Sequence, residues 1–322
     1  MARRSLVIVN PGATTTTERT RDVLTAALSR ELDVRVAITD RRGHATEMAR
    51  KAAADGVEVV VALGGDGTVN EVVNGLLADT SGAPRAGDIP ALGIVPGGST
   101  NVLARTLGIP RDPIEATGAL LEWLRRDQTH AIGLGRVDER WFTFSAGLGV
   151  DAEVVAEVER RREAGATSTH ALWVRTAVRH VLTRTDRKTP ALTVHPEGGE
   201  PVEGVFLLIV SNTTPWTYLG ERQVITSPDA GFDTGLDVLA VRSLAIVKTV
   251  RTAVSMLRRA DTGPVGSHLI RLDDVASLRA TSRREISLQV DGDFVGVVSH
   301  ATFMAVPDAL RVIGPARSPQ LA

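Results

Sequence analysis

The stretch "VEVVVALGGDGTVNEVVNGL", residues 57–76, decides the fold. Residues 57–65 are apolar apart from Glu58, with four β-branched valines, and read as a buried strand. A glycine turn carrying one aspartate follows, and then a helical pattern over 68–77. A strand hidden on both faces and followed at once by a helix is a unit of a parallel sheet, because only a sheet covered by helices on both sides conceals its strands completely. Working outward, "SLVIVN" (5–10), "VRVAIT" (34–39) and "ALGIVP" (91–96) repeat the strand signal. Between them Val23, Leu24, Ala27, Leu28 and Leu32 recur at helical spacing. Residues 44–55, 100–108 and 113–126 also read as helices. The first 131 residues therefore predict a doubly wound α/β domain.

Beyond residue 131 the alternation stops. Strand-like segments at 141–147, 191–196, 203–212, 235–242, 267–280 and 285–291 are interrupted by helical stretches only at 151–184 and 244–260. Such a run predicts an antiparallel, β-sandwich-like second domain over 132–322, with the C-terminal tail free to pack back on the first domain.

Composition narrows the function classes. A formal net charge of -1 leaves no basic footprint for nucleic acid, so no nucleic-acid partner is expected. The absence of cysteine removes disulfides, thiolate metal sites and a cysteine nucleophile, and fits the cytoplasm. The opening "MARRSLVIVNPG" has too short an apolar run for a signal peptide and reads as a first strand. No apolar run reaches the ~18 residues of a membrane span, so contact with a membrane would be peripheral.

Three strands of the first half end in turns of unusual chemistry: "NPGATTTT" (10–17), "GGDGTVN" (64–70) and "PGGSTN" (96–101). Ligands of α/β sheets bind beyond the carboxyl ends of the strands. Gly64, Gly65, Gly67, Gly97 and Gly98 would let the backbone approach a ligand and aim N–H groups at it. Thr68 and Ser99 fit helix N-cap positions, and helix N-termini favour an anion. Glycines after strands also simply make turns, and that reading stays open on the residues alone. The dinucleotide pattern G-x-G-x-x-G fails at Asn70, and the phosphate-loop pattern is absent because no Gly-Lys pair occurs.

"GGDGTVNEVVNGL" (64–76) resembles the signature loop of the diacylglycerol kinase catalytic domain, a family that includes bacterial lipid kinases, sphingosine and ceramide kinases and, more distantly, NAD kinases. Further pieces resemble it in order: "VNPG" (9–12), "TDRRGHATEMAR" (39–50), "PGGSTNVLARTLGIP" (96–110), "GLGVDAEVV" (147–155) and "VDGD" (290–293). The resemblance implies a nucleotide-binding α/β domain followed by a β-sandwich, with ATP and Mg²⁺ as cofactors and a lipid alcohol as acceptor. On matching positions it implies a nucleotide site of Asn10, Pro11, Gly12, Ala13, Thr14, Thr39, Gly64, Gly65, Asp66, Gly67, Thr68, Val69, Asn70, Gly98, Ser99 and Asn101.

Asp66 is the aspartate of that signature loop. A carboxylate beside a triphosphate is repelled by several kcal/mol at an effective dielectric of about 20 unless a cation intervenes. Mg²⁺ solves this by taking carboxylate, water and phosphate oxygens together. A turn-stabilising aspartate is the plainer reading. For Asp291 and Asp293 the residues alone point to a hairpin turn. The resemblance assigns them catalytic roles, Asp293 standing where the family usually has the glutamate proposed as base. The family often holds a structural Mg²⁺ in an acidic loop. Here Asp233, Thr234, Gly235 and Asp237 form a shortened version, which makes Asp233 and Asp237 doubtful metal ligands.

In "NTTPWTYLGERQ" (212–223), Trp216, Tyr218 and Leu219 suit an acyl pocket, a bilayer contact or ordinary packing equally. The arginine-bearing stretch 151–184 suits a solvated face or an anionic membrane. The expected activity is phosphorylation of diacylglycerol to phosphatidic acid, by an enzyme visiting the inner face of the membrane. The alternatives are a kinase of another lipid alcohol (sphingoid, ceramide or polyprenyl type) and a nucleotide- or lipid-binding protein without transferase activity. A homodimer is compatible with the family.

Overall fold

The structure is a computed structural model, and it describes residues 2–13, 18–80, 86–163, 186–258 and 262–315. Contacts divide the chain into two units, one of residues up to Leu134 together with the chain from Val306, the other running from Gly135 to Ala305.

The first unit is built on parallel strands in the order β2 (Leu32–Ile38), β1 (Arg3–Val9), β3 (Val59–Gly64) and β4 (Ala91–Pro96). The last part of β16 (Asp293–Ile313) joins beside β4, with Val312 opposite Leu92. All six residues of β3 and of β4 are buried, as their unbroken apolar runs require. On one face, Leu24 and Leu28 of α1 (Glu18–Leu28) and Leu120 and Leu124 of α5 (Pro113–Arg125) pack on Val7, Val9, Val59, Val61, Leu63 and Val95. The alternate strand residues point to the other face. There α2 (His44–Ala54) contacts β1, α3 (Asp66–Leu76) contacts β3, and the two helices pack together. The sheet is therefore covered on both sides. α5 starts where it does because Asp112 caps it, accepting from the backbone N–H groups of Ile114 (2.8 Å) and Glu115 (3.0 Å), with Pro113 in the first turn.

Strand register brings the ligand-bearing edge together. Val9 lies opposite Leu63, and Gly64 opposite Pro96. The carboxyl ends of β1, β3 and β4 are thus level, and their three turns leave from one edge.

In the second unit the neighbours are antiparallel in the order β14 (Leu269–Val275), β13 (Leu236–Val241), β10 (Leu207–Ser211), β7 (Ser145–Gly149), β15 (Ser277–Val290) and the first part of β16. β15 is long enough to take part in two leaves. Its end pairs with β7 and its beginning with β8 (Leu192–Pro196), which in turn pairs with β9 (Val202–Val205). A register shift between Thr281 and Ile286 separates those halves. Side chains from both, including Leu278, Ala280, Leu288, Val290, Val210 and Val238, share one core. α6 (Val150–Glu163) follows β7, and α7 (Ile246–Leu257) follows β13. The remaining part of the 151–184 helical expectation, residues 164–185, lies outside the described residues. Among the described residues no helix is long and apolar enough to cross a membrane.

Candidate functional site

The three turns of the first unit are bonded to one another before any ligand is considered. The Asn10 N–H donates to the Leu63 carbonyl (3.0 Å) and the Gly97 N–H to the Gly64 carbonyl (2.7 Å). The Asn10 amide nitrogen donates to the Thr68 hydroxyl at 2.9 Å, and its amide oxygen accepts from the Gly12 N–H at 2.9 Å. Asn101, held in the left-handed region at φ 50°, accepts from the Gly98 N–H (3.0 Å) and donates to the Gly98 carbonyl (2.7 Å). The second and third turns touch at Gly65 and Gly98, where a methyl on Gly98 would stand 2.7 Å from the Gly65 Cα. These two glycines are thus demanded by the meeting of two backbones, not by a ligand alone.

The implied nucleotide site accordingly divides in two. Thr39, Gly64, Thr68, Val69, Asn70 and Asn101 are buried and hold the turns in shape; the Thr39 hydroxyl, for example, donates to the Val9 carbonyl at 3.3 Å. Pro11, Gly12 and Ser99 are exposed, while Asn10, Ala13, Gly65, Asp66, Gly67 and Gly98 are half-buried. Thr14 lies outside the described residues.

The N-cap assignments need correcting. α3 begins two residues before the expected start: extended Gly65 (φ −89°, ψ −175°) is its N-cap, Asp66 its first residue, and Thr68 lies inside the helix. α4 (Val102–Thr106) is capped by Asn101, not Ser99. Its N-cap residue, a glycine, has no side chain to cap α3, and Asp66 is the acidic residue of the first turn at the helix's positive end.

In the second unit, Asp291 and Gly292 are the two central residues of a two-residue hairpin between paired Val290 and Asp293. Both have positive φ, 49° and 79°, as a type I′ turn requires. Contrary to the catalytic expectation, the Asp291 carboxylate is consumed by the fold and is only 4% exposed. Oδ2 accepts from the Thr143 N–H (2.7 Å) and hydroxyl (2.8 Å), and Oδ1 from the N–H groups of Phe144 (3.0 Å) and Ser145 (3.1 Å). Burial pushes its pKa up, and the four donors pull against that. Asp293, two residues on, is half-buried at the start of β16.

Residues 4–137 match the family model of the diacylglycerol kinase catalytic domain. That match makes residues 4–137 similar to the catalytic domain of diacylglycerol kinases. A diacylglycerol kinase of Bacillus subtilis (strain 168) is 40% identical over 117 residues, a match covering 36% of this chain and 35% of that protein. The alignment thus spans about a third of either sequence. The whole fold is similar to the crystal structure of a diacylglycerol kinase from Bacillus anthracis str. Sterne, at 19% identity and a TM-score of 0.70 over 99% of this chain and 98% of that one. It is also similar to an NAD kinase from Archaeoglobus fulgidus solved in complex with ATP, at 10% identity and a TM-score of 0.52 over 99% of this chain and 95% of that one.

The structural metal that the family resemblance implies does not fit the residues of this chain. Asp233 is exposed, whereas Asp237 is 1% exposed within β13. The Thr234 hydroxyl is taken up by the Gly231 and Gly235 carbonyls at 3.0 and 3.2 Å. Among the described residues no group of three or more His, Asp or Glu side chains could hold a metal ion. A guanidinium stands among these acids instead: Arg271 Nη2 lies 3.2 Å from Asp273 and 3.5 Å from Asp229. Asp237 Oδ1 accepts from the Asp274 N–H at 2.9 Å, while Oδ2 has no partner among the described residues. Burial, with Asp273 and Asp229 nearby, raises its pKa to about 6.

Two residues of consequence escaped the sequence reading. Glu71, inside the signature loop, accepts from the N–H groups of Gly43 (2.8 Å) and Ala45 (3.1 Å), capping α2 from α3. Thr143 anchors Asp291. A carboxylate directly after "GGDGTVN" was a signal for the first, whereas nothing local marks Thr143.

Proposed function

We propose that this chain is an ATP- and Mg²⁺-dependent lipid kinase that phosphorylates diacylglycerol to phosphatidic acid. The observation that carries this reading is Asp66: a half-buried residue on the first turn of a helix whose N-cap is a glycine, beside a second glycine turn. The helix end and turn amides favour the phosphates of a nucleotide. Asp66 suits them only with a cation, and Mg²⁺ bound there would neutralise phosphate charge. The similarity of residues 4–137 to the diacylglycerol kinase catalytic domain and the ATP bound by the NAD kinase neighbour support the same cofactor.

The chain's own residues then have separate tasks. Gly67, Gly12 and Ser99 contact the phosphates, while Asn10, Thr68 and Asn101 hold the turns that present them. In the transfer, the acceptor hydroxyl oxygen forms a bond to the γ-phosphorus as the bond to the ADP oxygen breaks. The hydroxyl proton passes to a carboxylate, which we assign to Asp293 because Asp291 is saturated by backbone donors. Transfer of labelled phosphate from ATP to extracted lipids tests the reading. A labelled phosphatidic acid product that disappears with Asp66→Ala is expected. Full activity in that variant would overturn the role of Asp66, and a different labelled lipid would overturn the acceptor.

A further inference from the structure

α7 turns an aliphatic stripe to solvent, which is unusual for a helix on a protein surface. The side that meets the body of the second unit is mixed, with Met256 and Leu257 half-buried alongside threonines and a serine. Thr249 and Thr252 are half-buried, the Thr252 hydroxyl lies 3.0 Å from His268 Nε2, and Ser255 bonds back to the Thr252 carbonyl at 2.7 Å. His268 is buried, and burial together with Lys248 and Arg251 lowers its pKa. The apolar side faces solvent, with Ile246, Val247, Val250 and Val254 at 51, 72, 55 and 44% exposure, and no residue of the helix is fully buried. A surface helix ordinarily packs its apolar stripe on the core and shows its polar one to water.

At about 100° per residue, Ile246, Val250, Val254 and Val247 fall in one arc of roughly 100°. Arg258 and Arg251 border that arc and Lys248 lies just beyond them, all three exposed. Residues 246–258 contain no acid. An apolar stripe with cations along its border, both facing outward, is the form of a helix that lies in a membrane interface.

We propose that α7 is the surface by which this chain docks on an anionic lipid bilayer. The choice of a membrane rests on the lipid-kinase reading, since an enzyme of bilayer lipids has to reach them. Charge selects the bilayer over a second copy of the chain: two such helices face to face would oppose cations with no acid between them. A single helix face of four aliphatic side chains also offers little area for a stable dimer, which needs on the order of 1,000 Å² in total. Anionic headgroups complement all three cations while the valines enter the acyl boundary.

Sedimentation with vesicles of phosphatidylcholine alone, and of phosphatidylcholine with phosphatidylglycerol, tests this. Wild type should bind the anionic vesicles and lose that preference in high salt. Lys248→Gln with Arg251→Gln and Arg258→Gln should weaken anionic binding on the order of a hundredfold. Val247→Ser with Val250→Ser and Val254→Ser should weaken it at least tenfold, with the thermal unfolding midpoint unchanged because these positions are exposed. Equal binding by all three proteins, or none by wild type, overturns the proposal. So does a dimer that the serine variant dissociates without losing vesicle binding. Transfer to a short-chain diacylglycerol dispersed in neutral detergent separates the two readings: its absence in wild type defeats the kinase reading and leaves the vesicle result standing. Both α7 variants should keep that rate.

Discussion

Asp66-Gly67 and Asp291-Gly292 are the same dipeptide at the end of a buried strand, and the two have opposite fates. The first opens a helix, and its carboxylate stands half-buried at a positive helix end. The second closes a hairpin, and its carboxylate turns inward to accept four hydrogen bonds. What differs is the element that follows. A helix leaves its first amides pointing outward, where a ligand completes them. A type I′ turn projects its first side chain back over the neighbouring strand end, where the amides of residues 143–145 take it. One aspartate begins a helix, where we propose it serves the chemistry, and the other is committed to architecture.

The comparison breaks if Asp66→Ala leaves the enzyme active. On the proposed role of Asp66 in holding a cation and phosphates, its loss is expected to cost on the order of 10³-fold in phosphoryl transfer, with the thermal unfolding midpoint shifted by only a few degrees. Asp291→Ala should do the reverse. It strands three backbone N–H groups and a hydroxyl in a buried place, at about 1–3 kcal/mol for each unsatisfied group. Denaturant unfolding should therefore show a loss of at least about 3 kcal/mol. An unchanged midpoint with abolished transfer would return Asp291 to the chemistry.

Asp293 sharpens the same contrast within one turn. Asp293→Asn is expected to lower kcat about 10²-fold with little change in stability, and Asp293→Glu to recover most of it, because glutamate keeps the base and adds one methylene of reach. A fully active asparagine variant would remove Asp293 as the base.

The skeleton of the molecule was legible because burial on both faces writes itself as an apolar run; β4 matches "ALGIVP" residue for residue. The glycine turns were legible too, though not their reason. Gly65 and Gly98 are needed because two turns meet, a contact between positions 33 residues apart that no local pattern reveals. Asp291 and Thr143 are separated by 148 residues, so the dipeptide showed a turn and hid the clamp. The start of α3 was missed because extended Gly65 serves as its cap without any side chain. For α7 the periodicity showed a helix over 244–260, but periodicity carries no sign: it cannot say which face turns inward.

Asp237 is the intermediate case, a buried carboxylate with one donor where Asp291 has four. Its folded pKa lies near 6 against an ordinary 3.8, because burial and the Asp273 and Asp229 charges oppose ionisation more than the Asp274 amide and Arg271 favour it. Between those values the folded chain holds a proton that the unfolded chain has released, so stability falls as pH rises from about 4 to 6 and stays lower above. Asp237→Asn keeps an oxygen for the Asp274 amide and removes the charge. The variant should therefore gain on wild type in thermal unfolding as pH rises through that window, with the gap constant beyond about pH 7. Parallel profiles for the two proteins would mean that Arg271 already neutralises Asp237, and that a single donor with a nearby guanidinium serves a buried carboxylate as well as the four donors of Asp291 do.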